Sequence, residues 1–204
     1  MQNLCLDLDV VKDDLPVEIL ENIYVGSLHA ACNKEELLRR RIEYVLNISG
    51  ERNAQYSKHF TYLSIDLRDK DYSNLLSCIP AANLFIDTAM EKKRGVLVHC
   101  RGGRSRSPAV VAAYLMKNRG VSYEEALEKL CEKRKVVSIN KGFERQLKAY
   151  ERCNFDVYGF TSALSLSLSL HFFFQHTHTL IQICCSAKVT QKKSETNGRS
   201  SRKS

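Results

Sequence analysis

The chain has 204 residues, 44% of them hydrophobic and 26% charged, with a formal net charge of +8 and eight cysteines. That length and mix suit one soluble globular domain with a sizeable core. Residues 160–204 hold six Lys/Arg against one acid, so +5 of the charge belongs to the tail. Only +3 remains for the rest, which argues against a nucleic-acid partner, since that would need a basic face on the folded domain. The N-terminus, MQNLCLDLDVVKDD, is acidic and has no long apolar run, unlike a secretory signal. The cysteines lack metal-ligand spacing, so they read as reduced thiols of a cytoplasmic or nuclear protein, with no metal or cofactor expected.

Residues 17–25 (VEILENIYV) alternate apolar and polar side chains and predict a strand. Residues 33–41 (NKEELLRRR) predict a helix capped by Asn33. YVLNIS (44–49) and FTYLSIDL (60–67) are rich in β-branched and aromatic residues and predict strands. In 77–92, Ile79, Ala82, Leu84, Phe85, Ala89 and Met90 fall near helical spacing. VLVH (96–99) predicts a short buried strand, and a helix follows with Pro108 in its first turn, where proline fits. SYEEALEKLCEKR (122–134) carries a Ser122/Glu125 capping box, and KGFERQLKAYERC (141–153) predicts a last amphipathic helix. Strands alternating with helices indicate an α/β domain.

Composition changes near residue 160. GFTSALSLSLSLHFFFQHTHTLIQICC (159–185) has no Asp, Glu, Lys or Arg. Read in triplets, a CT dinucleotide repeat gives alternating Leu and Ser, and a CA repeat gives alternating His and Thr, so the stretch reads as translated non-coding repeat. A membrane anchor is the competing reading, but serines, histidines and glutamines dilute its hydrophobicity, so membrane association is not expected. His176 and His178 are two apart, not the usual helical ligand spacing, and the polar end of the tail is expected to be disordered.

The loop between the 96–99 strand and the next helix carries the chemistry. Cys100 ends the apolar run, Gly102 and Gly103 permit unusual backbone angles, and Arg106 stands at the helix start. A strand–loop–helix turn of this kind gathers backbone N–H groups into one concavity, and the helix dipole adds positive potential there. An arginine fork can hold two phosphate oxygens. A thiol at the base of such a tetrahedral-anion cradle is favoured as the thiolate, its nucleophilic form. The bland alternative is a buried cysteine beside a solvated basic turn.

VHCRGGRSRSP (98–108) resembles the signature of cysteine-dependent protein phosphatases, His-Cys-x5-Arg-Ser. From about Val17 to Tyr150 the chain is similar to the small dual-specificity branch of that superfamily, through IYVGSLHAA, VLNIS, FTYLSIDLRDKD, AAYLMKNRGVSYEEAL and NKGFERQL. The resemblance implies a mixed central β-sheet flanked by α-helices, with an acidic segment at 1–16, a catalytic domain at 17–158 and the low-complexity tail at 159–204. It implies hydrolysis of phosphotyrosine and phosphoserine/phosphothreonine through a cysteinyl-phosphate, with a phosphorylated protein, such as a mitogen-activated protein kinase, as the partner.

The resemblance also implies roles. Cys100 would attack phosphorus, and Arg101, Gly102, Gly103, Arg104, Ser105 and Arg106 would line the phosphate site. Arg106 would bind the equatorial oxygens, Ser107 would help the thiolate leave and His99 would orient the loop. A general acid is expected from a loop about thirty residues upstream. Asp66, Asp69 and Asp71 are the candidates; aligning the TYL strand selects Asp69 and leaves Asp71 as the alternative. Ile139-Asn140-Lys141-Gly142-Phe143 departs from the family's Pro-Asn before Gly-Phe, which puts loop rigidity in doubt. Arg101 and Arg104 keep open a phosphatase of acidic lipids, and a non-catalytic phosphate-binding module is the third reading. RRRIEYV (39–45) and KRKVVSI (133–139) loosely match kinase-docking peptides but fall within predicted folded elements, where charge at a helix end is the simpler account.

Overall fold

The computed structural model describes residues 13–50 and 55–157. The N-terminal residues before Asp13 and the tail after Val157, with its Leu-Ser repeat, its two histidines and Cys184-Cys185, lie outside the described residues.

The frame is set by the most apolar short segment. Val96, Leu97 and Val98 are fully buried in β5 (Gly95–His99), as expected of a parallel strand covered on both faces. β5 lies at the centre of a five-stranded sheet, ordered β1-β2-β5-β3-β4. It pairs in parallel with β2 (Ile23–Gly26) and β3 (Ile42–Asn47), so that Val98 stands opposite Val25 and Leu46. β4 (Thr61–Ser64) extends the parallel set, and β1 (Val17–Leu20) adds the single antiparallel edge.

Two strands stand where the alternation of VEILENIYV predicts one. The chain reverses at Glu21-Asn22, where Asn22 takes a left-handed conformation (φ 63°) and its N–H donates to Glu18 Oε1 at 3.0 Å. Asparagine tolerates that region, and the pair Glu21-Asn22, which interrupts the alternation after Ile19-Leu20, is where the chain turns. The strand expected over 60–67 stops at Ser64, and the chain after it leaves the sheet as a loop.

Side-chain parity divides the core between the two faces. Val96, Val98, Val25 and Leu46 pack with the helices α3 (Ile79–Glu91), α4 (Arg106–Arg119), α5 (Tyr123–Lys133) and α6 (Lys141–Arg152). Leu97, Val45 and Tyr24 pack on the other face with Ala31 of α1 (Leu28–Cys32) and Leu37 of α2 (Lys34–Arg39). Each fully buried Leu, Ile or Phe side chain contributes about 1.5–3 kcal/mol. Helix α4 is buried without a break from Ser107 to Met116, as a helix with an apolar circumference must be, and Gly120 (φ 63°) ends it.

The local caps form as predicted. Asn33 Oδ1 accepts from Glu36 N–H at 3.2 Å to start α2. Ser122 Oγ accepts from Glu125 N–H, and Glu125 accepts from Ser122 N–H at 2.8 Å, closing the capping box. Among the described residues no helix is long and apolar enough to cross a membrane, and Cys78, Cys100, Cys131 and Cys153 carry free thiols. The consequence for function is positional. β5 sits between β2 and β3, so the loop that leaves it opens at the carboxyl end of the sheet, where open α/β sheets bind ligands.

Candidate active site

The loop from Cys100 to Ser105 joins the central strand to the first turn of α4. Four consecutive carbonyls of this loop are held by donors outside it. Arg101 O accepts from Leu28 N–H at 3.0 Å, and Gly102 O and Gly103 O accept from the Arg134 guanidinium at 3.4 and 2.9 Å. Arg104 O accepts from Ser138 N–H at 2.8 Å. In a trans peptide the C=O of one residue points opposite the N–H of the next. The N–H groups of Gly102, Gly103, Arg104 and Ser105 are therefore all turned away from those outer donors, toward the concave side of the loop. Together with the amino end of α4 they form an anion cradle.

Only one of the two glycines needs its freedom. Gly103 has φ +60°, and a Cβ there would stand 2.6 Å from both the Gly26 carbonyl oxygen and Arg134 Nη2. At Gly102 a Cβ would find room, with nothing nearer than 3.7 Å.

Cys100 is buried directly after the strand, and Ser107 Oγ–H donates to its Sγ at 3.3 Å from inside the first turn of α4. His99 is buried, and no side chain bonds to either ring nitrogen. Burial pushes its pKa down to about 4, only partly offset by the backbone at Cys100, so the imidazole is neutral at pH 7. Arg106 reaches across to the loop after β4: Nη1 donates to Leu67 O at 3.3 Å, and Nε lies 3.6 Å from Asp69 Oδ2.

Of the three candidate acids, Asp69 alone is tied to the cradle. Its Oδ1 accepts from Ser105 Oγ–H at 2.7 Å and from Asn140 Nδ2 at 2.6 Å, while Ser105 Oγ accepts from Asn140 N–H at 3.2 Å. Asp66 instead lies against Gly50, where a Cβ would collide with its carboxylate. Asp71 is exposed, and its backbone packs against Gly142. Arg101 and Arg104 are both exposed at the loop, with Arg68 and Lys70 exposed on the acid loop.

Three residues that frame the site escape sequence reasoning. Asn140, in the segment that departs from the family pattern, caps α6 by accepting from Phe143 N–H at 2.9 Å while its amide holds Asp69; no proline is needed for this tie. Gln146 fastens the far end of the acid loop, accepting from Leu75 N–H and donating to Ser73 O, both at 2.8 Å. Arg134 belongs to a basic run by sequence, yet it is 4% exposed and grips the Cys100–Ser105 loop. Arg39 and Arg40 both pair with Glu36, at 2.7 and 2.6 Å, so neither basic cluster is a free peptide. No set of three or more metal-binding side chains gathers among the described residues.

Residues 23–153 match the family model described as the dual specificity phosphatase catalytic domain. The chain is 36% identical over 140 residues to dual specificity protein phosphatase 1 of Arabidopsis thaliana, covering 69% of this chain and 71% of that protein. It is 38% identical over 138 residues to the Xenopus laevis protein phosphatase Slingshot homolog, covering 68% of this chain but only 20% of that longer protein. The crystal structure of human DUSP28 superposes with a TM-score of 0.64 at 30% identity, over 67% of this chain and 93% of the other. With a match spanning more than half its length, the chain belongs to the dual specificity phosphatase family.

Proposed function

We propose that this protein is a protein phosphatase that hydrolyses phosphotyrosine and phosphoserine/phosphothreonine in two steps. The observation that carries the reading is the cradle of N–H groups from Gly102 to Ser105 beside the Cys100 thiol, with Asp69 fastened at its edge by Ser105 and Asn140. In the first step the Cys100 thiolate attacks phosphorus and the P–O bond to the substrate breaks. The leaving oxygen takes a proton from the Asp69 carboxyl. The cradle and Arg106 hold the three equatorial oxygens as charge spreads over them. In the second step water attacks the cysteinyl-phosphate and gives its proton to Asp69, and the S–P bond breaks. The Ser107 hydroxyl, already donating to Sγ, stabilises the departing thiolate. His99 fits an orienting role, since a neutral buried imidazole supplies no charge at neutral pH.

The finer reading concerns the substrate. Arg101 and Arg104 are exposed beside the cradle and can each contact a second anionic group. A doubly phosphorylated Thr/Tyr peptide, such as a mitogen-activated protein kinase activation loop, supplies that group in the cytosol or nucleus. So does a phosphoinositide, which keeps the lipid as the second reading. The test measures kcat/KM on singly and doubly phosphorylated peptides and on soluble phosphoinositides at one salt concentration, with a Cys100→Ser trap to capture the substrate. Peptide turnover with a preference for two phosphates, lost in the Arg101→Ala/Arg104→Ala variant, supports the proposal. A clear preference for the inositol phosphates replaces it with the lipid reading, and unchanged turnover by Cys100→Ser refutes the mechanism.

A further inference from the structure

The outer side of the phosphate loop rests on an ion pair between a buried guanidinium and a partly exposed carboxylate. Arg134 follows the last turn of α5, and its backbone N–H donates to Leu130 O at 2.8 Å. Its guanidinium, 4% exposed, divides its donors between two partners. Nε donates to Gly103 O at 2.9 Å and Nη2 to Gly102 O at 3.4 Å. On the other side Nη1 donates to Asp13 Oδ1 at 3.0 Å, and Nη2 makes a second, closer contact with Asp13 Oδ2. Asp13 is 121 residues away in sequence and is itself anchored, because its carbonyl accepts from Ser27 Oγ–H. The next carbonyl, of Asp14, accepts from Asn33 Nδ2 at 3.1 Å.

A buried guanidinium is costly unless its charge and its donors are met, and breaking such a pair leaves an uncompensated charge. Asp13 meets the charge. The fork then has a directional effect that a lysine could not reproduce. One rigid plane bonds two successive carbonyls, so it sets the tilt of the Gly102–Gly103 and Gly103–Arg104 peptides relative to each other. The N–H groups of those two peptides belong to Gly103 and Arg104, the middle pair of the cradle. Gly103 cannot drift, since its α-carbon is wedged between Arg134 and the Gly26 carbonyl, with no room for a methyl group.

We propose that Arg134, held in register by Asp13, is a positioning residue that aims the Gly103 and Arg104 N–H groups at the bound phosphate. The segment carrying Asp13 is thereby part of the active site without touching substrate. This rests on the phosphatase reading above. The clamp acts on any tetrahedral oxyanion, in the ground state as well as in the transition state, because it shapes the cradle and not the proton transfer.

The experiment uses the full chain with inorganic tungstate as the probe. It measures the tungstate dissociation constant by calorimetry, kcat/KM on p-nitrophenyl phosphate, and Tm for wild type, Asp13→Asn, Asp13→Ala, Arg134→Lys and the Asp13→Ala/Arg134→Lys double variant. Losing charge-assisted hydrogen bonds to the loop is expected to weaken tungstate roughly tenfold or more in Arg134→Lys and in Asp13→Ala, and less in Asp13→Asn, which can still accept one bond. The double variant is expected to bind no worse than Arg134→Lys, because both changes act through one contact. Asp13 is 24% exposed, so its variants report on the clamp even if Arg134→Lys does not fold. Wild-type tungstate affinity in both Asp13 variants, whatever happens to Tm, overturns the proposal, as does full additivity in the double variant. A wild-type protein that neither binds tungstate nor turns over the aryl phosphate would instead overturn the phosphatase reading.

Discussion

Gly142→Ala tests whether the acid loop is held in place by helix α6. A methyl carbon at that position would fall on the Asp71 carbonyl and stand 2.5 Å from Asp71 Cα, where ordinary contact begins near 3.4 Å. The obstacle is backbone, so no rotamer change relieves it, and the two segments must part by about 1 Å or more. α6 is the less compliant side. Phe143, Leu147 and Tyr150 are fully buried, and Asn140 caps its first turn. The acid loop is a compact turn, with Ser73 N–H donating to Lys70 O and Lys70 N–H to Arg68 O, both at 3.0 Å, so it moves as a unit and carries Asp69 with it. Overpacking of this kind costs about 1–3 kcal/mol in stability. A reacting group displaced by about 1 Å can lose on the order of 10²-fold in rate. The loss falls on proton donation, so it depends on the leaving group. On phenyl phosphate, whose leaving group needs the proton, kcat is expected to fall about 100-fold. On p-nitrophenyl phosphate, whose leaving group does not, it should fall less than about tenfold. Equal losses on the two substrates, or no loss on either, would refute the coupling of Gly142 to Asp69.

Asp69→Asn is expected to lower kcat on phenyl phosphate by roughly 10²–10⁴-fold with little change in tungstate affinity, while Asp71→Asn stays near wild type. The reverse pattern would move the general acid to Asp71. His99, with its pKa pushed down to about 4, stays neutral in the folded chain while the unfolded chain takes up its proton below about 6.5. Its contribution to stability is therefore full above about pH 6.5 and is lost as the pH falls toward 4, by on the order of 3 kcal/mol, so urea midpoints of wild type should fall more steeply over that range than those of His99→Gln.

What can be read from the chain follows from how local each signal is. The strand–loop–helix joint at 95–119 is legible because an unbroken apolar run, two glycines and a proline sit side by side. The capping box at Ser122 and Glu125 is legible because both partners lie within one turn. The split of residues 17–25 into a hairpin is marked only by the polar pair Glu21-Asn22, too short an interruption to stand out without the left-handed turn at Asn22. Helix α1 is missed because five residues carry too little periodicity, and only the Ser27 cap, accepting from Ala30 N–H at 3.3 Å, marks it. The end of the strand before 65–67 is marked only by Asp66, a residue disfavoured in strands, while Ile65 N–H still donates to Asn47 O at 2.8 Å.

The same division runs through the site. Cys100, Arg106 and Ser107 share one loop and its helix turn, so their spacing carries the resemblance. Asp69 and Asn140 meet across 71 positions, and Asp13 and Arg134 across 121. In KRKVVSI the middle basic residue is an arginine between two lysines, and burial sets it apart further: Lys133 and Lys135 are exposed, and Arg134 is not. A run of like charges therefore conceals a residue doing a different job, and charge alone cannot separate them. The distinction lies in which donors the backbone of the phosphate loop requires. Its four carbonyls are met by Leu28 and by Arg134 and Ser138 of the α5–α6 connection, two parts of the chain far apart in sequence. A signature motif thus supplies the inward N–H groups, while their aim is set by residues outside it. The motif alone is then insufficient to form the cradle, and changes far outside it, at Asp13 or Gly142, should reach the chemistry through backbone geometry.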